Sequence, residues 1–355
     1  MTRTCLRAPP SDSIVRALDK RARLTPTNFS IRFIAMTPCR QCFLALLFTS
    51  VATVSLASTF WSVRGPDSGE NGQTMVAYVR DDLAGEQTLA TIFEDGSIPF
   101  KGLYVGKTHR FEAGLNKNGL FVGQISAASV SRNERLSLFS KRFKSSEGWF
   151  GGEWLVRNCS SVSQALEQPR VFSGYPMIYV LADKYETAVV ECLTDGRLIT
   201  KRINNGFVTH TNHFLFPEAV GANGKVPISS IARLDRINAL LDTQPKPFRL
   251  GQFLAFATDS SAGPDLSLFR TGSKLRSPKT TCIWLLTFPQ KGKTLSYLRF
   301  LNETTWETTR EEFPASSPVH TIKPLIPIPI TEPAKEAVVP ESNLTPVTSK
   351  EVSAS

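Results

Sequence analysis

One short apolar run divides this chain into a part expected to leave and a part expected to fold. Residues Cys42–Ala57 follow Arg40, are almost wholly apolar, and end in Ser55-Leu56-Ala57, with small residues at the −3 and −1 positions. A basic start, an apolar stretch and a small-residue end in that order read as a signal peptide. Crossing a membrane takes roughly 20 apolar residues, more than this run supplies. Cleavage after Ala57 is therefore expected, with no stable membrane span afterwards. Because such a peptide begins at the N-terminus, translation is expected to start at Met36. Residues 1–35 are then a non-native or flexible basic extension, residues 36–57 the signal peptide, and Ser58 the first residue of an exported chain, periplasmic or extracellular.

This division also accounts for the charge. The formal net charge is +10, which in a folded domain would suggest nucleic acid. Residues 1–57 hold eight basic residues against Asp12 and Asp19. The remaining surplus is spread downstream without a dense cluster, so no nucleic-acid partner is expected. Of six cysteines, Cys5, Cys39 and Cys42 precede the cleavage point. Cys39 and Cys42 have CxxC spacing but no second pair nearby. Cys159, Cys192 and Cys282 are too scattered for a structural zinc site. One disulfide plus a free thiol is open to them after export.

From Ser58 on, β-like runs alternate with turn residues. Ser58–Val63 and Gln73–Arg80 read as strands joined by a Gly/Pro/Asp-rich loop, and Leu103–Val105 and Leu120–Ile125 as further strands. Glu153–Glu167 reads as a helix. Met177–Ala182, Ala188–Cys192 and Leu198–Arg202 read as a meander turning at Thr194-Asp195-Gly196. Ile231, Leu234, Ile237, Leu240 and Leu241 give Ser229–Leu241 a helical stripe. Thr281–Phe288 and Thr294–Phe300 make a last hairpin. Beyond Phe313, residues 314–355 are a Pro-rich tail expected to be disordered. The folded unit is a single α+β domain over 58–313.

The first hairpin can carry chemistry. If Arg64 pairs with Gln73, Ser58 falls opposite Val79, beside Arg80 and Asp81, and a slip of a residue or two keeps that neighbourhood. A free α-amino group has a pKa near 8 and can serve as general base for its own side chain. Asp81 would orient the amine, and Arg80 would hold the nucleophile or a substrate carbonyl. The plainer alternative is that Arg80 and Asp81 are simply a solvated strand end.

Ser58-Thr-Phe-Trp61, Val79-Arg-Asp81 and Ala113-Gly-Leu-Asn-Lys-Asn-Gly-Leu120 together resemble the choloylglycine hydrolase-like and acyl-coenzyme A:6-aminopenicillanic acid acyltransferase-like N-terminal-nucleophile (Ntn) hydrolases. Asn158–Leu166, Val190-Glu191, Thr209-His-Thr-Asn-His-Phe214 and Ser229-Ser-Ile-Ala-Arg233 resemble that superfamily's later segments, in family order. The resemblance implies a four-layer αββα sandwich and hydrolysis of linear amide (N-acyl) bonds of a small substrate through an acyl-enzyme, with no cofactor and no metal. It implies Ser58 as nucleophile, Arg80 and Asp81 as supports, Asn212 as oxyanion donor and Arg233 as an assisting group. The sequence departs from the family in four places. Ser58 stands where Cys is expected, Val79 where Asn is, Lys117 where Glu is, and Ser126 where some members place a second oxyanion Asn.

Other readings stand beside this one. An amine in place of water as acceptor would make the chain an acyltransferase. A catalytically degenerate Ntn fold would be a ligand-binding protein. An uncleaved Cys42–Ala57 run would make an anchored envelope protein. His210 and His213 are spaced as a metal pair but lack an evident third ligand. The aromatic–glycine run Trp149–Trp154 is a pocket border, a lid or plain packing.

Overall fold

The hairpin expected at the start of the folded part forms, one residue out of the expected register. Strand β1 (Ala57–Arg64) pairs antiparallel with β2 (Thr74–Asp82), so that Ser58 lies opposite Arg80 and Val63 opposite Met75. The loop between them takes up one residue more than the expected pairing of Arg64 with Gln73 allows. Backbone bonds from Glu70 to Phe248 and from Phe248 to Ser68 hold it to a distant part of the chain. The computed structural model describes residues 57–313 except 108, 136, 139–150 and 173–174. The expected extension, the expected signal peptide as far as residue 56, the CxxC pair, Trp149 and the Pro-rich tail lie outside the described residues.

Two antiparallel sheets follow from the β-rich pattern. The first has the order β10 (Gly206–His210), β1, β2, β11 (Lys279–Phe288), β12 (Thr294–Asn302), β13 (Thr305–Phe313). The second runs in chain order through β3 (Gln87–Ile92), β4 (Phe100–Val105), β5 (Arg110–Asn116), β6 (Phe121–Ser126), β7 (Met177–Ala182), β8 (Thr187–Cys192) and β9 (Leu198–Ile203). The last hairpin is thus extended by β13, whose Thr and Glu residues suit an exposed edge.

Side-chain alternation sorts the core into three layers. Phe60, Tyr78 and Trp284 of the first sheet meet Leu115, Phe121 and Val180 of the second. On the outer face of the second sheet, Val122 and Leu181 pack beneath the short helices α1 (Gly151–Asn158), α2 (Val162–Leu166) and α3 (Pro169–Phe172). On the outer face of the first, Trp61, Val79 and Ile283 pack beneath α4 (Ile228–Thr243) and α5 (Leu250–Ala257). The layer order is helix–sheet–sheet–helix, the αββα sandwich. No helix among the described residues is long and apolar enough to cross a membrane.

Where the helix over Glu153–Glu167 is expected, the chain makes α1 and α2 instead. Ser161 breaks it, because its side chain caps the second piece by accepting from the Gln164 amide. The hairpin Ala113–Leu120 holds the end of the first piece. Asn116 Nδ2 donates to Val156 O at 2.9 Å and Cys159 O at 2.7 Å, while its Oδ1 accepts from the amides of Asn118 and Leu120. Gly151 and Gly152 of the aromatic–glycine run are buried at the start of α1 against Val171 and Gln124.

The sheets approach closely where β6 passes β2. A Cβ on Gly123 would lie 2.9 Å from Val180 Cγ2 and 3.1 Å from the Tyr78 ring. Gly123→Ala is therefore expected to cost about 1–3 kcal/mol by overpacking. Urea denaturation checks this, and an unchanged midpoint would show that the layer can absorb a methyl group.

Candidate active site

Ser58 sits near the start of β1, buried between its neighbours. In the uncut chain its nitrogen is a peptide amide, and it donates to Asn212 Oδ1 at 2.8 Å. The β1–β10 ladder pairs Phe60 with His210. Its register, carried two residues further, brings Asn212 opposite Ser58. Residues Asn212, Ser58, Arg80 and Cys282 thus form one row across the sheet.

Alternation sends the next residues to the other face. Asp81 lies beneath the α4–α5 layer, where it meets two cations. Arg233 Nε is 3.9 Å and Arg270 Nη1 3.5 Å from Asp81 Oδ2, and the Thr280 hydroxyl donates to Asp81 Oδ1 at 2.9 Å. Burial pushes the Asp81 carboxyl up, against the pull of Arg233 and Arg270. Burial likewise brings Arg233 down to about 10, with Asp81 opposing, so it stays a cation at neutral pH. The Arg233 side chain is fully buried. Its Nη1 donates to Ser58 O at 2.6 Å and to Thr59 Oγ1, and its Nη2 to Asn212 Oδ1 at 2.9 Å. One guanidinium therefore ties Ser58, Asn212 and Asp81 together.

Arg80 faces the space between the sheets, opposite Ser58, but its guanidinium is engaged elsewhere. It pairs with Asp82 and with Glu112 at 3.2 Å, and donates to Thr281 Oγ1 at 3.1 Å. Burial alone would lower its pKa, and Glu112 and Asp82 outweigh that and raise it. Two bulges supply these partners. The β4–β5 ladder shifts register around Glu112, and the β2–β11 ladder shifts around Thr281. The second shift lets adjacent Thr281 and Cys282 both face the Arg80 side, while Thr280 stays on Asp81.

Asn212 is held from behind. Its amide donates to Ser230 Oγ at 2.8 Å, and its Nδ2 donates to Ser126 O at 3.1 Å. Ser230 Oγ also lies 2.9 Å from His213 Nδ1 and donates to Thr211 Oγ1 at 3.0 Å. His210 is fully buried and reaches Glu191 of the opposite sheet, Nε2 to Oε1, at 2.8 Å. The two histidines thus have separate polar partners in the Asn212 turn. No cluster of metal-ligating side chains occurs among the described residues.

The structure brings Ser58, Asp81, Asn212 and Arg233 into one bonded group, with Arg80 adjacent. Sequence reading missed Tyr78, Glu112, Ser230, Arg270 and Thr280. The signal for Tyr78 was the ladder register, since Tyr78 shares a face with Ser58 only when Ser58 is opposite Arg80. Cys159, Cys192 and Cys282 are all buried and unbridged, so the disulfide left open by the sequence does not form. Burial pushes the Cys159 and Cys282 thiols up to about 12, so neither supplies a thiolate near neutral pH.

Burial and the nearby His210 bring His213 down to about 4. The folded chain holds it neutral, whereas the unfolded chain protonates it near 6.5. Its contribution is present above pH 6.5 and is lost as pH falls towards 4. The stability gap between the wild type and His213→Gln should therefore narrow across that window. Denaturation at a series of pH values measures the gap, and one that stays constant would contradict a neutral His213.

Comparison with known proteins bears on the whole arrangement. None of the curated proteins matches the sequence. A solved structure, the Caenorhabditis elegans N-acylethanolamine-hydrolyzing acid amidase ortholog, aligns at 14% identity with a TM-score of 0.47, covering 64% of this chain and 92% of its own. The family model for acyl-coenzyme A:6-aminopenicillanic acid acyl-transferase matches residues 104–299, over half of the chain, from strand β4 to strand β12. Ser58, Arg80 and Asp81 precede the matched stretch, and Asn212 and Arg233 fall inside it. With the αββα sandwich formed as the resemblance implied, the chain belongs to the acyl-coenzyme A:6-aminopenicillanic acid acyl-transferase family of Ntn-fold amidases and acyltransferases.

Proposed function

We propose that this chain, cut after Ala57 on export, hydrolyses linear amide bonds of small N-acyl compounds with Ser58 as an N-terminal nucleophile. The observation that carries this reading is the position of the Ser58 nitrogen. It lies 2.8 Å from Asn212 Oδ1, within a fully buried polar group that also contains Arg233 and Asp81. A buried charged group at a strand end is costly to build, and a cut at this bond would give it a use.

The freed α-amine takes the proton of Ser58 Oγ as the oxygen attacks the substrate carbonyl. The oxyanion of the tetrahedral intermediate is stabilised by Asn212 Nδ2, a contribution of a few kcal/mol in such sites. The ammonium then returns its proton to the leaving amine, and the C–N bond breaks to leave an ester on Ser58. Water, activated by the same amine, hydrolyses that ester and restores the serine. Arg233 holds the Ser58 carbonyl and the Asn212 side chain in register, and Asp81 balances its charge. An amine taking the place of water would give acyl transfer, the reaction in the family's name.

The test has two steps. Intact mass and terminal sequencing of the exported protein should give Ser58 as the first residue. A chain beginning elsewhere would remove the base and end this reading. Against a panel of N-acyl amides, Ser58→Ala should then lower turnover by on the order of 10³-fold or more with its melting temperature preserved. Equal turnover by the variant would assign the activity to another group.

A further inference from the structure

Tyr78 is the diagonal neighbour of Ser58 on the inner face of the first sheet, since Ser58 pairs with Arg80 and Phe60 with Tyr78. Its ring crosses the interlayer space edge-on to Phe121, 6.0 Å between centroids, and passes over Gly123, where a Cβ would crowd it. Its hydroxyl donates to the Gln124 carbonyl of β6 at 2.6 Å, so its oxygen keeps lone pairs with which to accept, and Ser58 is its diagonal neighbour. The proton directions follow from chemistry. A carbonyl oxygen only accepts, so the single phenol proton goes to Gln124 O. A hydrogen bond between the two hydroxyls would then have Ser58 as its donor. Burial holds the phenol neutral throughout the range in which the site would work.

Strand β6 therefore fixes two neighbours of Ser58 at once. Its pairing with β5 ends at Gly123. Beyond that point, the Gln124 carbonyl takes Tyr78 and the Ser126 carbonyl takes Asn212. We infer that Tyr78 is a positioning residue for this chain's nucleophile: anchored on β6, it accepts the Ser58 hydroxyl and fixes the rotamer from which Oγ attacks. The inference rests on the amidase reading above. At attack the Ser58 proton passes to the α-amine, not to Tyr78, whose oxygen keeps its own. A hydroxyl uses this contact more fully than a thiol, because S–H is a weak donor.

The test compares wild type, Tyr78→Phe, Ser58→Cys and the double variant, each with residue 58 verified as its N-terminus. Single-turnover acylation by p-nitrophenyl acetate is followed by intact mass and located by peptide mapping. Tyr78→Phe keeps the ring and should slow acylation of Ser58 about 10- to 100-fold, the order expected of a misplaced reacting atom. The half-saturating ester concentration should change by less than about 3-fold, as for an interaction made mainly in the transition state. With cysteine at position 58, the same Tyr78→Phe change should cost less than about 3-fold, a coupling that the double-mutant cycle isolates. Equal losses in both backgrounds, or none, would overturn the inference and leave Tyr78 a packing residue. If Tyr78→Phe does not fold, 3-fluorotyrosine placed at position 78 keeps the ring and hydroxyl but weakens the acceptor. It should slow acylation of Ser58, and an unchanged rate would overturn the inference. If the wild type acylates Ser58 in a Tyr78-dependent way yet turns over no amide, the amidase reading fails and this one stands. A wild type that is never acylated at Ser58 would end both.

Discussion

The fully buried guanidinium of Arg233 is the contact on which the rest of the site depends. It reaches from helix α4 through the first sheet's outer layer to Ser58 O, Thr59 Oγ1 and Asn212 Oδ1, with Asp81 as its nearest carboxylate. A cation without solvent is tolerable only when its charge is answered. Asp81 of β2 answers the charge, and β1 and the turn after β10 take both Nη groups, so packing α4 onto the sheet and assembling the site are one event, although Nε makes no hydrogen bond. Among the described residues, replacing Arg233 would leave Arg270 as the one cation on Asp81 and would remove one of the bonds that hold the Asn212 side chain. Replacing Asp81 would leave two arginines facing one another without a carboxylate between them.

Strand β2 divides the labour of the site by alternation. Arg80 and Asp81 are adjacent in sequence and face opposite layers, which is why they share no partner. Asp81 works with the helix layer, whereas Arg80 clamps the two sheets together through Glu112. Regular ladders would not bring the second set of partners into place. The bulges at Glu112 and Thr281 each add one residue and aim it at Arg80. The Glu191–His210 pair does similar work at the other side of Ser58, joining β8 to the end of β10 and accepting the Leu215 and Phe216 amides. The site thus rests between two polar staples that cross the interlayer.

Much of this was legible from the sequence, and what was not has identifiable causes. The meander, the last hairpin, helix α4 and the group Ser58, Asp81, Asn212 and Arg233 follow from local pattern and motif order. The ladder register does not. It depends on the loop between β1 and β2, which is fixed by Phe248, about 180 residues away in the chain. A local pairing rule therefore missed it by one residue. One residue suffices to exchange faces, so Tyr78 stayed hidden although the strand containing it was recognised. Strands β3 and β5 carry mixed polar and apolar residues because of edge exposure and a bulge, and neither shows clean alternation. Helix α5 is a mostly apolar run of only eight residues, too short for periodicity to separate a helix from a buried strand.

The departures from the family pattern weigh differently once their places are known. Val79 is wholly buried in the outer core beneath α4 and α5, on the face away from the Ser58 side chain. Lys117 lies on an exposed turn, where its neighbour Asn116 does the structural work of holding α1. Ser126 meets Asn212 through its backbone carbonyl, a contact independent of side-chain identity. Three of the four departures therefore leave the bonded group around Ser58 unaltered. The fourth is Ser58 itself, whose hydroxyl is the group that Tyr78 is inferred to position. Arg233, Asp81 and Asn212 thus stay joined around Ser58 whatever side chains stand at 79, 117 and 126, because none of those three side chains supplies a bond within the group.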